Sequence, residues 1–153
     1  MKKKPKQSSI VRNRKAFNEF EILESFEAGI ALAGTEVKSV RDGRVKMGEA
    51  YCQISPDYQL DLVQMEISVY QFGNINNHAP ARTRKLLMHK REIARLLSKV
   101  KEKGLTLIPL RLYYKDGRVK VEIALCRGRK LHDKRLVLKE KDAKRDMERS
   151  LTR

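Results

Sequence analysis

Few side chains in this chain are of types that could carry catalysis. The histidines are His78, read in a loop, His89, on a basic helix, and His132, in the tail. No H-x-x-x-H, G-x-S-x-G or P-loop spacing joins them to a nucleophile or a metal. Cys52 and Cys126 lie far apart, form no C-x-x-C pair and fall inside strand patterns, where a small buried thiol is expected. No enzyme, metal site or cofactor is therefore expected. Binding chemistry is better represented, in three basic runs. Arg12-Asn13-Arg14-Lys15 combines phosphate-seeking cations with an amide that both donates and accepts. Arg82-Thr83-Arg84-Lys85 is the second. Arg127-Gly128-Arg129-Lys130-Leu131-His132-Asp133-Lys134-Arg135 is the third; Gly128 allows close backbone approach there, and His132 can stack on a base.

Charge places these runs in the chain. The 153 residues carry 35 Lys and Arg against 19 Asp and Glu, a formal charge of +16. An acidic partner follows, nucleic acid first. Residues 1–15 hold seven basic and no acidic side chains, and 127–153 hold eleven basic and five acidic. The middle, 16–126, is close to balance, with seventeen basic and fourteen acidic. The expected organisation is a basic arm over 1–15, a body over 16–126, and a basic tail over 127–153 that is disordered when free and helical when bound. With no helix-turn-helix pair, finger or zipper, RNA recognised by shape fits better than sequence-specific DNA reading. No run nears the ~18 apolar residues of a membrane span. Lys2, Lys3 and Lys4 precede no apolar block, so no secretory signal is expected, and a reducing cytoplasm is the expected compartment.

The elements that must position the runs are mostly strands. Phe17 to Ala33 reads as a hairpin with a turn or bulge at Gly29. Gly34 to Gly43 reads as a short helix N-capped by Thr35, with Lys38 and Arg41 on its solvent side. Ala50 to Ser55 and Tyr58 to Gln64 are strands, and 65–81 is a loop. Leu86 to Lys103 is a helix burying Ile93, Leu96, Leu97 and Val100 and ending at Gly104. Leu105 to Lys115 alternates through Leu110, Leu112 and Tyr114, with Pro109 at an edge or bulge. Asp116-Gly117 is a hairpin turn into Val119, Val121, Ile123 and Leu125. The fold class expected is mainly β: a small antiparallel OB-like barrel of about six strands with two to three helices and a flexible basic C-terminal tail.

Four motifs carry a resemblance. They are Asn13-Arg14-Lys15-Ala16 with Phe20-Glu21-Ile22; Phe26-Glu27-Ala28-Gly29-Ile30-Ala31-Leu32 with Gly34-Thr35-Glu36-Val37-Lys38-Ser39; Arg82-Thr83-Arg84-Lys85-Leu86-Leu87; and Gly128-Arg129-Lys130-Leu131-His132-Asp133-Lys134-Arg135. In order, across most of the chain, they resemble the SsrA-binding protein (small protein B) family of bacterial trans-translation. The resemblance implies an RNA-binding adaptor, a monomer and not an enzyme. It would bind the tRNA-like domain of transfer-messenger RNA and bring it, charged with alanine and with elongation factor Tu, to stalled ribosomes. The tail would occupy the decoding centre of 16S rRNA and the empty mRNA channel, and the nascent chain would be tagged.

By the same resemblance, Asn13, Arg14, Lys15, Glu27, Lys38, Arg41, Arg84, Lys85, Leu87 and Lys120 are the expected RNA-binding residues. Gly128, Arg129, Lys130, His132, Asp133, Lys134 and Arg135 are the expected tail residues at the decoding centre. Glu27 needs its own physics: phosphate repels a carboxylate, so it must accept hydrogen bonds from base edges and supply specificity rather than bulk affinity. Three positions depart from the family's usual pattern: Phe20 in place of Tyr, Arg129 in place of Lys, and the less apolar stretch Arg149-Ser150-Leu151. The alternatives are a structural ribosomal protein or assembly factor, or a ribonuclease using His78 or His132.

Overall fold

A six-stranded antiparallel barrel is the core of the computed structural model, which describes residues 9–70, 77–129 and 131–151. Its strands are β2 (Phe20–Ile30), β4 (Tyr51–Ile54), β5 (Leu60–Val63), β7 (Arg84–Leu87), β8 (Thr106–Lys115) and β9 (Arg118–Gly128). They pair in the order β8-β4-β5-β7-β2-β9, and β9 closes the ring on β8. β1 (Ser9–Arg12) pairs along β8, and β3 (Val45–Lys46) pairs with β6 (Glu66–Ile67). The helices are α1 (Arg14–Glu19), α2 (Gly34–Arg41), α3 (Lys90–Lys103) and α4 (Leu131–Leu151).

Alternation fills the barrel. Leu60 and Leu62 of β5, Leu86 of β7, Leu112 of β8, and Val121, Ile123 and Leu125 of β9 are all buried in one cluster. Each such side chain contributes roughly 1.5–3 kcal/mol by leaving water. Ile93 and Leu96 bring the apolar face of α3 to the same cluster, and Gly104, left-handed at φ 60°, ends that helix. A second cluster of Ala16, Ile108, Leu110, Ala124 and Cys126 seats α1 on β8 and β9. The β8–β9 hairpin turns at Asp116 and Gly117 with φ 53° and 73°, as Asp-Gly predicts. Pro109 sits at a bulge, where its missing N–H costs no ladder bond.

Three local expectations change. Phe17 to Ala33 is not a hairpin but the end of α1 followed by one long strand. Gly29 lies within the ladder between Leu87 and Lys120 rather than at a turn. A Cβ at Gly29 would stand 3.2 Å from the Leu87 Cβ, so close packing of two strands explains the glycine. Leu86 does not begin the long helix. It belongs to β7, where Arg84 and Leu86 point inward and Lys85 and Leu87 outward. Ala33, not Thr35, precedes α2 as its cap; the Thr35 hydroxyl lies 2.9 Å from His78 Nδ1 instead. Of the expected 65–81 loop, residues 71–76 lie outside the described residues, and Glu66–Ile67 is a short strand.

Candidate nucleic-acid interface

Register across four neighbouring strands assembles one surface. Leu87 of β7 is opposite Gly29 of β2, Gly29 opposite Lys120 of β9, and Lys120 opposite Tyr113 of β8. Directly opposite residues share a face, so these four form a row on the outside of the barrel. Two residues along, Glu27, Glu122 and Arg111 form the next row. On the other side lie Arg118 and Lys115. Leu87 is 53% exposed, unusual for a leucine within a ladder, and Gly29 leaves a dip beside it. Glu27, Leu87 and Lys120, far apart in sequence, thus meet on one patch. Arg41 of α2 joins them around a groove that also includes Gly29 and Leu87. Lys38, on the same helix, lies over the Tyr70 ring, 5.2 Å from its centre.

Glu27 faces Glu122 directly across β2 and β9, a like-charge pair that would destabilise the ladder unless each acid were engaged. Both are. Arg111 Nε donates to Glu122 at 2.6 Å. The Tyr113 hydroxyl donates to Glu27 at 2.5 Å, and Lys115 Nζ reaches both its oxygens at 3.1 and 3.2 Å. The Tyr113 hydrogen bond holds the Glu27 carboxyl below its usual range, against a smaller upward pull from burial, and Lys115 adds to the effect. Glu27 is therefore an exposed, ionised acceptor, oriented by two donors among cations. Neither Tyr113 nor Lys115 was among the expected site residues. Alternation was the available signal: if Leu112 and Tyr114 face one way, Arg111, Tyr113 and Lys115 face the other.

Two expected contact residues are placed differently. Asn13 is 3% exposed. Its Oδ1 accepts from the Ala16 N–H at 3.2 Å, capping α1, and its Nδ2 donates to the carbonyls of Pro109 at 2.9 Å and Met47 at 3.3 Å. Its amide is spent inside the fold, which makes it a support for neighbouring Arg12 and Arg14 rather than a contact. Arg84 is fully buried. Its Nε donates to Glu36 at 2.5 Å, and its terminal nitrogens donate to the carbonyls of Met65, Pro80 and Arg82. Arg82 also pairs with Glu36, so a single buried carboxylate holds two guanidinium groups. Lys85 is exposed and opposite Asp61, and Lys15 is exposed and paired with Glu19 and Glu49.

The other basic residues gather at the far end of the β2–β9 ribbon. Between Phe20 and Gly29 the strand runs nine steps, or ~30 Å at ~3.3 Å per residue. At that end Arg12, Arg14, Arg129, Lys141 and Arg145 line a groove between α1 and α4, with Asp142 the one acid among the residues lining it. Lys141 hydrogen-bonds Asn18, and the Arg12 guanidinium lies 5.3 Å from the Phe17 ring centre. The tail leaves the body firmly: the Arg129 N–H donates to the Glu19 carbonyl at 2.9 Å and its Nε to the Phe20 carbonyl at 3.1 Å. Gly128 is the exposed last residue of β9, paired with Phe20. Arg135 is exposed on α4. Lys130 lies outside the described residues, as do the side chains of His132, Asp133 and Lys134, whose backbone is helical.

Both nitrogens of the His78 ring are engaged internally, by Thr35 and by the Ile67 carbonyl at 2.9 Å. Burial pushes the thiols of Cys52 and Cys126 up, the latter to about 11. Among the described residues no three His, Cys, Asp or Glu gather as metal ligands, and no helix is long and apolar enough to cross a membrane.

Comparison with known proteins gives one consistent result. The family described as SmpB protein matches residues 10–153. The SsrA-binding protein of Carboxydothermus hydrogenoformans is 52% identical over 142 residues, covering 93% of this chain and 95% of that protein. The SsrA-binding protein of Protochlamydia amoebophila is 51% identical over 148 residues, covering 97% and 96%. A solved chain described as "tmRNA-SmpB: a journey to the center of the bacterial ribosome" superposes with a TM-score of 0.66 at 48% identity, over 79% of this chain and 85% of that one.

Proposed function

Because the chain belongs to the SmpB family of SsrA-binding proteins, we propose that it is the RNA-binding adaptor of trans-translation, carrying transfer-messenger RNA to stalled ribosomes. The observation that carries the reading is the row Leu87–Gly29–Lys120 with Glu27 beside it. An oriented carboxylate on a cationic surface repels plain phosphate and accepts from base amino groups, so it selects an RNA rather than merely holding one. Arg41, Lys38, Lys85, Lys115 and Lys120 supply the phosphate contacts that give affinity. Asn13 and Arg84 act from beneath, by fixing α1 and β7.

The second basic end serves the ribosome. Gly128 and Arg129 start a tail whose residues Lys130 to Arg135, and α4 after them, enter the decoding centre and the mRNA channel. The tail works as a unit distinct from the body. No step in this role requires bond making by the protein, and the work is done in the cytoplasm, where ribosomes are. The test is a competition assay across a salt series, with the tRNA-like domain of transfer-messenger RNA labelled and ordinary tRNA and duplex RNA competing. Counterion release weakens all phosphate binding alike as salt rises. A preference for the tRNA-like domain that survives high salt is expected, together with loss of tagging but not of RNA binding when 128–153 is removed. Equal competition at every salt would return the protein to a general ribosome-associated RNA binder.

A further inference from the structure

We propose that the groove between α2 and the β8–β9 turn is a subsite for one unstacked nucleotide of the bound RNA, base inward and phosphate at the rim. The proposal rests on the RNA-adaptor reading and deepens it. The groove is about 430 Å³, within the ~300–1,000 Å³ of ordinary ligand clefts. Its apolar lining includes Leu32, Val37 and Leu87, drawn from β2's exit, α2 and β7. Gly29 contributes no side chain, so the backbone of β2 is open to a flat ring. Around it stand Arg41, Arg118 and Lys120, and no acidic side chain lines the groove. Among the described residues none of these three cations is ion-paired. An apolar base of contact with an unneutralised cationic rim is complementary to a nucleotide, whose ring is apolar on its faces and whose phosphate is an anion.

A second observation points the same way. Tyr114 also lines the groove, and its hydroxyl is screened from solvent with no hydrogen-bond partner among the described residues. Buried polar groups are nearly always paired, so an unmet phenol in a groove wall is a donor waiting for an acceptor. A base edge offers such acceptors. The arrangement also accounts for Leu87: an exposed leucine inside a ladder is costly in the free protein and becomes covered when a base lies against it.

The experiment is an abasic scan of the tRNA-like domain, measured against wild type, Leu87→Ala and Arg118→Ala. Both positions are exposed, so the fold tolerates the changes. The expected result is one nucleotide whose base, when removed, weakens wild-type binding about tenfold, as a lost stack does. The same removal should cost no more than about twofold in either variant, since the partner is already gone. If wild type prefers the tRNA-like domain but no abasic position couples to Leu87 or Arg118, the subsite is overturned and the adaptor reading stands. If free guanosine or adenosine monophosphate saturates the groove while abasic positions stay silent, the RNA nucleotide is the wrong occupant. If wild type shows no preference among RNAs, the adaptor reading fails and the subsite with it.

Discussion

Two glutamates in this basic chain meet similar partners and do different work. Glu36 lies sealed beneath α2, with Arg82 and Arg84 on its oxygens and the Ala33 N–H at 2.9 Å. Glu27 lies on the open face of β2, with Tyr113 and Lys115 on its oxygens. Burial raises the pKa of Glu36, but its donors outweigh burial and leave it below the ordinary value. For Glu27 the Tyr113 hydrogen bond dominates and the direction is the same. Both are carboxylates at neutral pH. The difference is water: Glu36 is fully buried and its side chain has no free direction, whereas Glu27 is exposed and keeps lone pairs for a ligand. The same acid–base pairing is therefore structure where it is dry and recognition where it is wet.

The contrast is open to direct attack. The largest effect is expected from Glu36→Ala, which leaves Arg84 charged, buried and unpaired. Breaking a buried pair costs ~3–5 kcal/mol, so chemical denaturation should show a large loss of stability. A loss under about 1 kcal/mol would mean that the Glu36 cluster is not sealed. Next comes Glu27→Gln, for which selectivity for the tRNA-like domain should fall by ~1–3 kcal/mol, the worth of a good contact to a base edge. Its stability should move by no more than about 1 kcal/mol, as at other exposed pairs. If stability and selectivity fell together, the two glutamates would be alike after all.

Acid titration sharpens the comparison further. A carboxyl with a depressed folded pKa contributes stability that is present above its unfolded value, ~4.3 for Glu, and drains as pH falls through the folded value. Glu36→Gln should therefore flatten the acid limb of the stability curve, while Glu27→Gln should flatten the acid loss of RNA selectivity instead. The smallest effect is expected at Lys99, which pairs with Glu24 at 2.7 Å on the surface. Lys99→Ala should change the unfolding midpoint by the equivalent of ~0–1 kcal/mol, which calibrates what an exposed pair is worth here.

Legibility in the sequence followed the range of the forces. The α3 stripe, the Asp116-Gly117 turn and the alternation of β8 and β9 are local patterns, and all were readable. β2 was not, because Gly29 is a turn residue by type. What keeps it in a strand is Leu87, fifty-eight positions away. β7 was absorbed into α3 because Leu86 and Leu87 adjoin an apolar helix, and only pairing with β5 and β2 distinguishes them. Arg84 reads as a surface cation within a basic run, since nothing nearby announces Glu36, forty-eight residues upstream. Asn13 reads as a contact for the same reason: its partners Met47 and Pro109 are remote. Glu27, Leu87 and Lys120 came from family likeness, and the register of three strands is what joins them on one patch.

The long β2–β9 ribbon has one further consequence. It carries the Glu27 patch at one end and the tail's departure point at the other, so the separation between the two is set by a count of residues. Because side chains alternate, that length is quantised. Adding two residues to each strand would move the ends apart by ~7 Å and keep every face. Adding one would turn Glu27 toward the core and a leucine-lined interior toward solvent. Evolution can thus retune this spacer only in paired steps, which makes the gap between its two ends resistant to gradual drift.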